Sequence, residues 1–227
     1  MKIQRIYLVL LIFISSIASQ AQSTSPEESQ NSTHYTFIIS KDKSALRSIL
    51  FSTNQQRIML NADGTLDIPK KNGNDDRNDP DRDLYGDDRD YYDDLAAITY
   101  YDVFDGPGLA GKVKSVGTIK ISYYDGFDGN RKITGRVKYL GASKITYYDV
   151  FDGNKAIEGK IKTIGGIKIS YYDGFGGEPR LKGKIKTIGN TKLQYWGSFD
   201  FGKPVGQFKG LSGKTPGLSV VTRLPRM

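Results

Sequence analysis

Cysteine is absent from this 227-residue chain, and histidine occurs once, at His34. The first absence excludes disulfides, a thiolate nucleophile, thiolate-bound zinc or iron–sulfur clusters, and a lipid on an N-terminal cysteine. The second excludes His-based catalytic triads and multi-His metal centres. After the first 21 residues no apolar run is long enough to cross a bilayer as a helix. Glycine (26), tyrosine (15) and basic residues (33 Lys+Arg against 25 Asp+Glu) are abundant instead. The glycine excess signals many turns, and the tyrosines suit strands.

Lys2 and Arg5, the apolar run Tyr7–Ile14 and the small-residue ending Ser19-Gln20-Ala21 have the layout of a secretory signal. The expected organisation is a signal peptide over 1–21, a flexible leader over 22–34 and a short β segment over 35–70. An acidic low-complexity linker over 71–94, a repeat domain over 95–213 and a C-terminal tail over 214–227 follow. His34 falls in the leader and is expected to be solvated. Within the β segment, Tyr35–Ile39 and Ser48–Phe51 read as strands. Arg57–Leu60 and Thr65–Ile68 flank the turn Asn61-Ala62-Asp63-Gly64 as a hairpin.

Charge divides along the chain. Residues 22–97 hold 9 Lys/Arg and 15 Asp/Glu, whereas residues 98–227 hold 22 and 10. In the acidic stretch Asp79, Asp81 and Asp83 alternate like the first ligands of a calcium loop, but Gly86 falls at the eighth position rather than the sixth and Asp90 stands where a bidentate Glu belongs. A solvated acidic linker is the expectation there, with no metal and no cofactor.

From Ile98 onward one unit recurs. Its first half is Ile98-Thr-Tyr-Tyr-Asp-Val-Phe-Asp-Gly106, repeated from Ile121, Ile145 and Ile169 and, worn, from Leu193. Its second half is Gly159-Lys-Ile-Lys-Thr-Ile-Gly165, with counterparts from Gly111, Gly135, Gly183 and, worn, Gly206. The first tyrosine of each pair falls at 100, 123, 147, 171 and 195, in steps of 23, 24, 24 and 24. Such regularity marks a repeat architecture with atypical terminal units. Each half alternates with period two and closes on glycine, which predicts two strands per unit joined by turns.

The predicted fold is all-β: an antiparallel meander of hairpins with about ten strands, forming an open twisted sheet or a barrel, with a β-solenoid as the alternative. Pairing Ile164 with Lys168 across a three-residue turn collects the aliphatics, the first tyrosines and the phenylalanines on one face. That register also rejects a two-residue turn. The apolar face would be covered by barrel closure, by the strands of residues 35–68, or by a second copy. The opposite face would carry the second aromatics, Tyr124, Tyr148, Tyr172 and Trp196, between columns of Lys112, Arg136, Lys160, Lys162, Lys184 and Lys186.

The units resemble MORN and WG hairpin repeats in layout, although neither family's motif is present. Over residues 98–200 the Tyr-Tyr-Asp-x-Phe-Asp-Gly and Gly-Lys-x-Lys-x-Ile-Gly segments are similar to those of exported bacterial β-repeat proteins. That resemblance implies a secreted repeat protein and brings no activity with it.

The aromatic–cationic face suits an anionic polymer, an acidic glycan or nucleic acid, met by many weak equivalent contacts. The alternative is a purely structural or self-assembling envelope or matrix protein. A homo-oligomer through the apolar face is a possible partner state, and the expected location is the periplasm, the outer cell surface or the medium. Asp102, Asp125, Asp149 and Asp173 recur at equivalent positions. Equivalent carboxyls give no split acid and base roles, so the chain is read as non-enzymatic and these aspartates as turn hydrogen-bonders.

Overall fold

The computed structural model describes residues 33–40, 45–53, 56–67, 97–128, 130–152, 154–174 and 179–223. All of them belong to one compact unit spanning residues 31–227. The expected signal peptide, most of the leader, and the acidic linker with Asp79, Asp81 and Asp83 lie outside the described residues.

Strands β1 (His34–Ser40), β2 (Leu46–Ser52), β3 (Arg57–Asn61) and β4 (Leu66–Asp67) form an antiparallel meander. β3 and β4 are joined by the turn read at Asn61–Gly64. Ten further strands follow: β5 (Ile98–Tyr100), β6 (Val113–Val116), β7 (Ile119–Tyr123), β8 (Val137–Leu140), β9 (Ser143–Tyr147), β10 (Ile161–Ile164), β11 (Ile167–Tyr171), β12 (Ile185–Ile188), β13 (Thr191–Tyr195) and β14 (Phe208–Ser212). They pair in strict chain order as one antiparallel ten-stranded sheet. The hairpin meander is therefore the fold, and neither sheet closes into a barrel among the described residues.

The C-terminal residues expected to be a tail form a strand, β15 (Leu218–Arg223). It runs parallel to β1 and completes a five-stranded sheet in the order β15-β1-β2-β3-β4. Leu218, Val220 and Val221 give this segment strand character, but its partner lies 183 residues away in the chain, Tyr35 opposite Leu218, which no local pattern reveals. His34, placed in the leader by sequence, begins β1, and its Nε2 lies 2.9 Å from Ser219 Oγ on β15.

The five-stranded sheet covers the apolar face of the ten-stranded one. Phe37, Ile39, Ile49 and Leu60 share one core with Ile121, Leu140, Ile145, Ile161, Ile164, Ile169, Ile185 and Ile188, all fully or almost fully buried. Polar joints fix the packing. Tyr35 Oη lies 2.6 Å from Ser143 Oγ, and the Val137 amide donates to the Gly64 carbonyl at 2.9 Å. The face considered for a second copy is thus occupied by the chain's own strands.

The hairpin register departs from the expectation. Ile164 pairs with Ile167 and Thr163 with Lys168, across the two-residue turn that strict alternation had rejected. Gly165 and Gly166 both adopt positive φ, +54° and +82°, as such a tight turn requires. The missing residue is restored by a β-bulge. Ile161 faces Tyr147 and Thr163 faces Thr146, so Lys162 is the extra residue. The same shift recurs at Lys114, Lys138, Lys186 and Lys209. A bulge turns the strand by one residue. Isoleucines three apart, Ile161 and Ile164, consequently both point into the core.

Gly165 is also a point of close approach, because a Cβ there would collide with the Tyr35 hydroxyl, whereas one on Gly166 would meet nothing. Both alanine variants bear the left-handed backbone cost of about 1–2 kcal/mol. Gly165→Ala should cost clearly more than Gly166→Ala in urea unfolding. Equal losses would show that the tyrosine joint is not tight.

Candidate polyanion-binding face

Three of the long connections begin with Asp-x-Phe-Asp, from Asp102, Asp125 and Asp149, and local hydrogen bonds shape them. The Phe104, Phe127 and Phe151 amides donate to Oδ1 of Asp102, Asp125 and Asp149 at 2.7, 2.8 and 2.8 Å. The amides of those aspartates donate in turn to Oδ2 of Asp105, Asp128 and Asp152 at 2.8–2.9 Å. The repeated carboxylates are engaged by turn amides.

The closed turn pushes phenylalanine outward. Phe104, Phe127, Phe151 and Phe199 are 92–94% exposed. Period-two alternation places the phenylalanines on the apolar face; the structure puts these four outside instead, because the strands end at the first tyrosine and alternation does not continue past it.

The second aromatics are displaced for the same reason. Tyr124 and Tyr148 are buried rather than displayed on an open face, and Tyr172 and Trp196 are partly buried. The Tyr101, Tyr124 and Tyr148 hydroxyls donate to the carbonyls of Ile121, Ile145 and Ile169 in the next unit, at 2.7–2.8 Å. Each ring meets the first tyrosine of that unit edge-on, as in Tyr148–Tyr171 at 5.7 Å. Burial raises the hydroxyl pKa of Tyr124 and Tyr148.

The expected cation columns have two distinct duties. Lys112, Lys160 and Lys184 donate Nζ to the carbonyls of Gly135, Gly183 and Gly206 at 3.1, 2.7 and 2.8 Å, and the Arg136 guanidinium donates to Gly159. Each reaches one unit ahead and lies over that unit's first tyrosine, as Lys160 does over Tyr171 at 5.1 Å. Desolvation lowers the pKa of Lys160 and Lys184. These four side chains clamp successive units together.

The bulge lysines form the second set. Lys162 lies over the Tyr148 ring at 5.3 Å and pairs with Asp152 at 2.6 Å; Lys138 does the same with Tyr124 and Asp128. The Asp128 bond raises the Lys138 pKa, and reciprocally holds Asp128 below the usual carboxylate range. Lys186 keeps its contact with Tyr172 at 5.8 Å, but its unit carries Gly176 where the others carry the pairing aspartate. Lys209 lies over Trp196 at 4.6 Å and pairs with Asp200 at 3.0 Å.

A third column was not among the expected site residues. Lys120, Lys144, Lys168 and Lys192 occupy the strands next to the tight turns, on the face away from the core, and all four are exposed. Among the described residues no carboxylate lies within ion-pair distance of any of them. Their 24-residue recurrence was visible in the sequence, but the assumed three-residue turn set Lys168 beside Ile164 and concealed the row. The ten strands contain nine lysines and no acidic residue. Hydroxyls line the middle of the face, including Thr99–Ser115, Thr146–Thr163 and Ser170–Thr187 pairs at 2.6–2.7 Å. With two strands per unit, the lysines recur every ~9.6 Å.

Among the described residues no helix is long and apolar enough to cross a membrane, and no cluster of three metal-binding side chains is present. No family model, curated protein or solved structure matches this chain.

Proposed function

We propose that this is an exported, non-enzymatic repeat protein whose outer sheet face binds an extended acidic polysaccharide at the cell envelope, either in the periplasm or at the surface. The observation that carries this reading is the row Lys120, Lys144, Lys168 and Lys192 on a face whose strands lack carboxylates. Exposed cations with no ion-pair partner among the described residues are available to counter-charges from outside. Their ~9.6 Å interval is about the length of two sugar residues, so every second carboxylate of a polyuronate chain can meet a lysine. Duplex DNA carries a charge every ~1.7 Å of axis, far denser than one row can neutralise. The hydroxyl row beside the lysines offers donors and acceptors to sugar hydroxyls.

The test is salt elution from an immobilised polyuronate. The fourfold variant Lys120→Gln, Lys144→Gln, Lys168→Gln, Lys192→Gln should lose retention at about 50 mM salt, where counterion release favours binding. Its unfolding midpoint should stay within the range of ordinary surface substitutions, about ±0.5 kcal/mol. Lys160→Gln should do the reverse: it should lower stability through the lost Gly183 clamp and elute like the parent. Unchanged retention of the fourfold variant would remove the polyanion reading.

One observation favours a second reading. The clamp and bulge lysines serve internal bonds, as they would in an envelope or matrix protein whose sheet is built for rigidity and has no specific ligand.

A further inference from the structure

A polysaccharide on the lysine face would leave untouched the most exposed apolar side chains among the described residues. Phe104, Phe127, Phe151, Phe199 and Phe201 are 92–96% exposed, and Val103 and Val150 beside them 74% and 61%. An antiparallel meander sends alternate connections to opposite edges of its sheet. The connections after β5, β7, β9 and β13 carry these side chains, so all of them stand on one edge. Phe104, Phe127 and Phe151 follow one another at the unit interval, ~9.6 Å, and Phe199 stands two units beyond Phe151. The aromatic ridge runs perpendicular to the strands for about 38 Å, from Phe104 to Phe199.

Nothing in the packing of the sheet requires phenylalanine there, and exposed aromatics in regular array mark an interaction surface. We propose that this edge is a membrane-docking comb, whose phenylalanines enter the interfacial region of an anionic lipid bilayer.

Three features select a bilayer over a folded partner. First, the rings protrude singly. A protein would need a pocket at every interval, whereas a fluid interface closes around each ring separately. Second, the described surface shows another copy little apolar area to meet the ridge: among the described residues outside these connections, the large exposed apolar side chains are Tyr100, Leu211 and Val221, each on a strand. Third, cations for anionic headgroups stand on the same edge. Arg131, Lys155, Arg180, Lys182 and Lys203 are exposed in the same connections as the ridge or in the one between. Of the turn carboxylates, Asp105, Asp128, Asp152 and Asp200 are neutralised by Lys114, Lys138, Lys162 and Lys209 at 2.6–3.0 Å, while Asp102, Asp125 and Asp149 are held by hydrogen bonds from the Phe104, Phe127 and Phe151 amides. The Asp-x-Phe-Asp hydrogen bonds hold the tips in place before contact, which lowers the ordering cost of insertion. Interfacial binding grows with buried apolar area and with attraction to anionic lipid.

The test uses residues 31–227, the compact unit without the apolar N-terminal run, in co-sedimentation with phosphatidylglycerol/phosphatidylcholine vesicles. The parent should sediment with them, and more weakly with phosphatidylcholine alone. The variant Phe104→Ser, Phe127→Ser, Phe151→Ser, Phe199→Ser should lose at least about a hundredfold in partitioning, since burying one phenylalanine is alone worth roughly tenfold or more. Its thermal unfolding should match the parent, because the replaced rings pack against nothing. The fourfold Lys→Gln variant of the sheet face should retain vesicle binding while losing the polyuronate column, which separates this proposal from the previous one. The comb is overturned if the parent does not sediment, or if the serine variant sediments equally well. It is also overturned if light scattering shows a parent dimer that the serine variant dissolves, since the ridge then joins copies.

Discussion

Ile161→Ala and Ile164→Ala should each lower the unfolding free energy by about 2–5 kcal/mol, the usual range for truncating a buried isoleucine. Phe151→Ala should change it by no more than about 0.5 kcal/mol, as a surface substitution does. The comparison is decisive because the two isoleucines stand three residues apart on one strand. In a regular strand, side chains at odd separation face opposite sides. One of the pair would then be exposed, and its truncation nearly neutral. The bulge at Lys162 turns both inward, and both are fully buried. Equal, large losses from the two truncations therefore report the bulge in solution. Phe151 tests the complementary half of the geometry. Were it inside the sandwich, its removal would cost about 3–5 kcal/mol. Urea unfolding of the three variants settles both points, and a loss confined to one isoleucine would refute the bulged register.

The same bulge explains which parts of the fold were legible in the sequence. Period-two alternation, glycine punctuation and the 24-residue recurrence are local signals. They sufficed for the unit, its two strands and the order of ten strands in the sheet. Register is not local. It depends on whether Gly165-Gly166 alone forms the turn, and on one unpaired residue per strand pair. Strict alternation through Ile161-Lys162-Thr163-Ile164 was incompatible with a two-residue turn only while Lys162 was counted as paired. The pattern IxxI was a usable sign of the bulge, because two isoleucines at that separation cannot share a face of a straight strand. The site suffered from the same cause. Tyr148 and Phe151 were assigned faces by extrapolating the strand beyond Tyr147, where it ends. Lys120, Lys144, Lys168 and Lys192 were overlooked although they recur as regularly as the tyrosines. The covering of the apolar face by residues 35–68 was one of the options the pattern allowed. That β15 joins them depends on pairing over the whole length of the chain, for which a single sequence carries no signal.

The chemistry of the units also differs from a simple display surface. Tyrosine, lysine and aspartate form one module that repeats. The bulge lysine covers the second aromatic and neutralises the turn aspartate, that aromatic's hydroxyl caps a carbonyl one unit on, and the clamp cation caps another. The module consumes polar groups that would otherwise be unpaired at the sheet's looped edge. Among the described residues the chemistry left uncommitted includes the lysine row near the tight turns and, on the opposite edge, the phenylalanine ridge with its exposed cations.

Alkaline unfolding should follow from this use of tyrosine, and it is expected to be steep. Burial raises the hydroxyl pKa of Tyr147, Tyr171 and Tyr195 well above the ordinary value of 10.0. Each hydroxyl also donates to a backbone carbonyl, of Val137, Ile161 and Ile185 respectively. Above pH 10 the unfolded chain has lost these protons while the folded chain retains them, so stability must fall as pH rises. The slope is about 1.4 kcal/mol per pH unit for each tyrosine, or roughly 4 kcal/mol per unit for three. Lys114, Lys138 and Lys162, whose pKa values are raised by their aspartate partners, act in the same direction. Lys160 and Lys184 act oppositely, since desolvation lowers their folded pKa, but their effect ends once the unfolded lysines have titrated near 10.5. Beyond that pH the tyrosines dominate, and a typical domain stability of 5–15 kcal/mol is exhausted within a few pH units. Tyrosinate absorbance and far-ultraviolet dichroism recorded together against pH check this. The main absorbance step should coincide with loss of the β signal. If all 15 tyrosines instead ionise near pH 10 with the sheet intact, the tyrosines are not the buried joints described above.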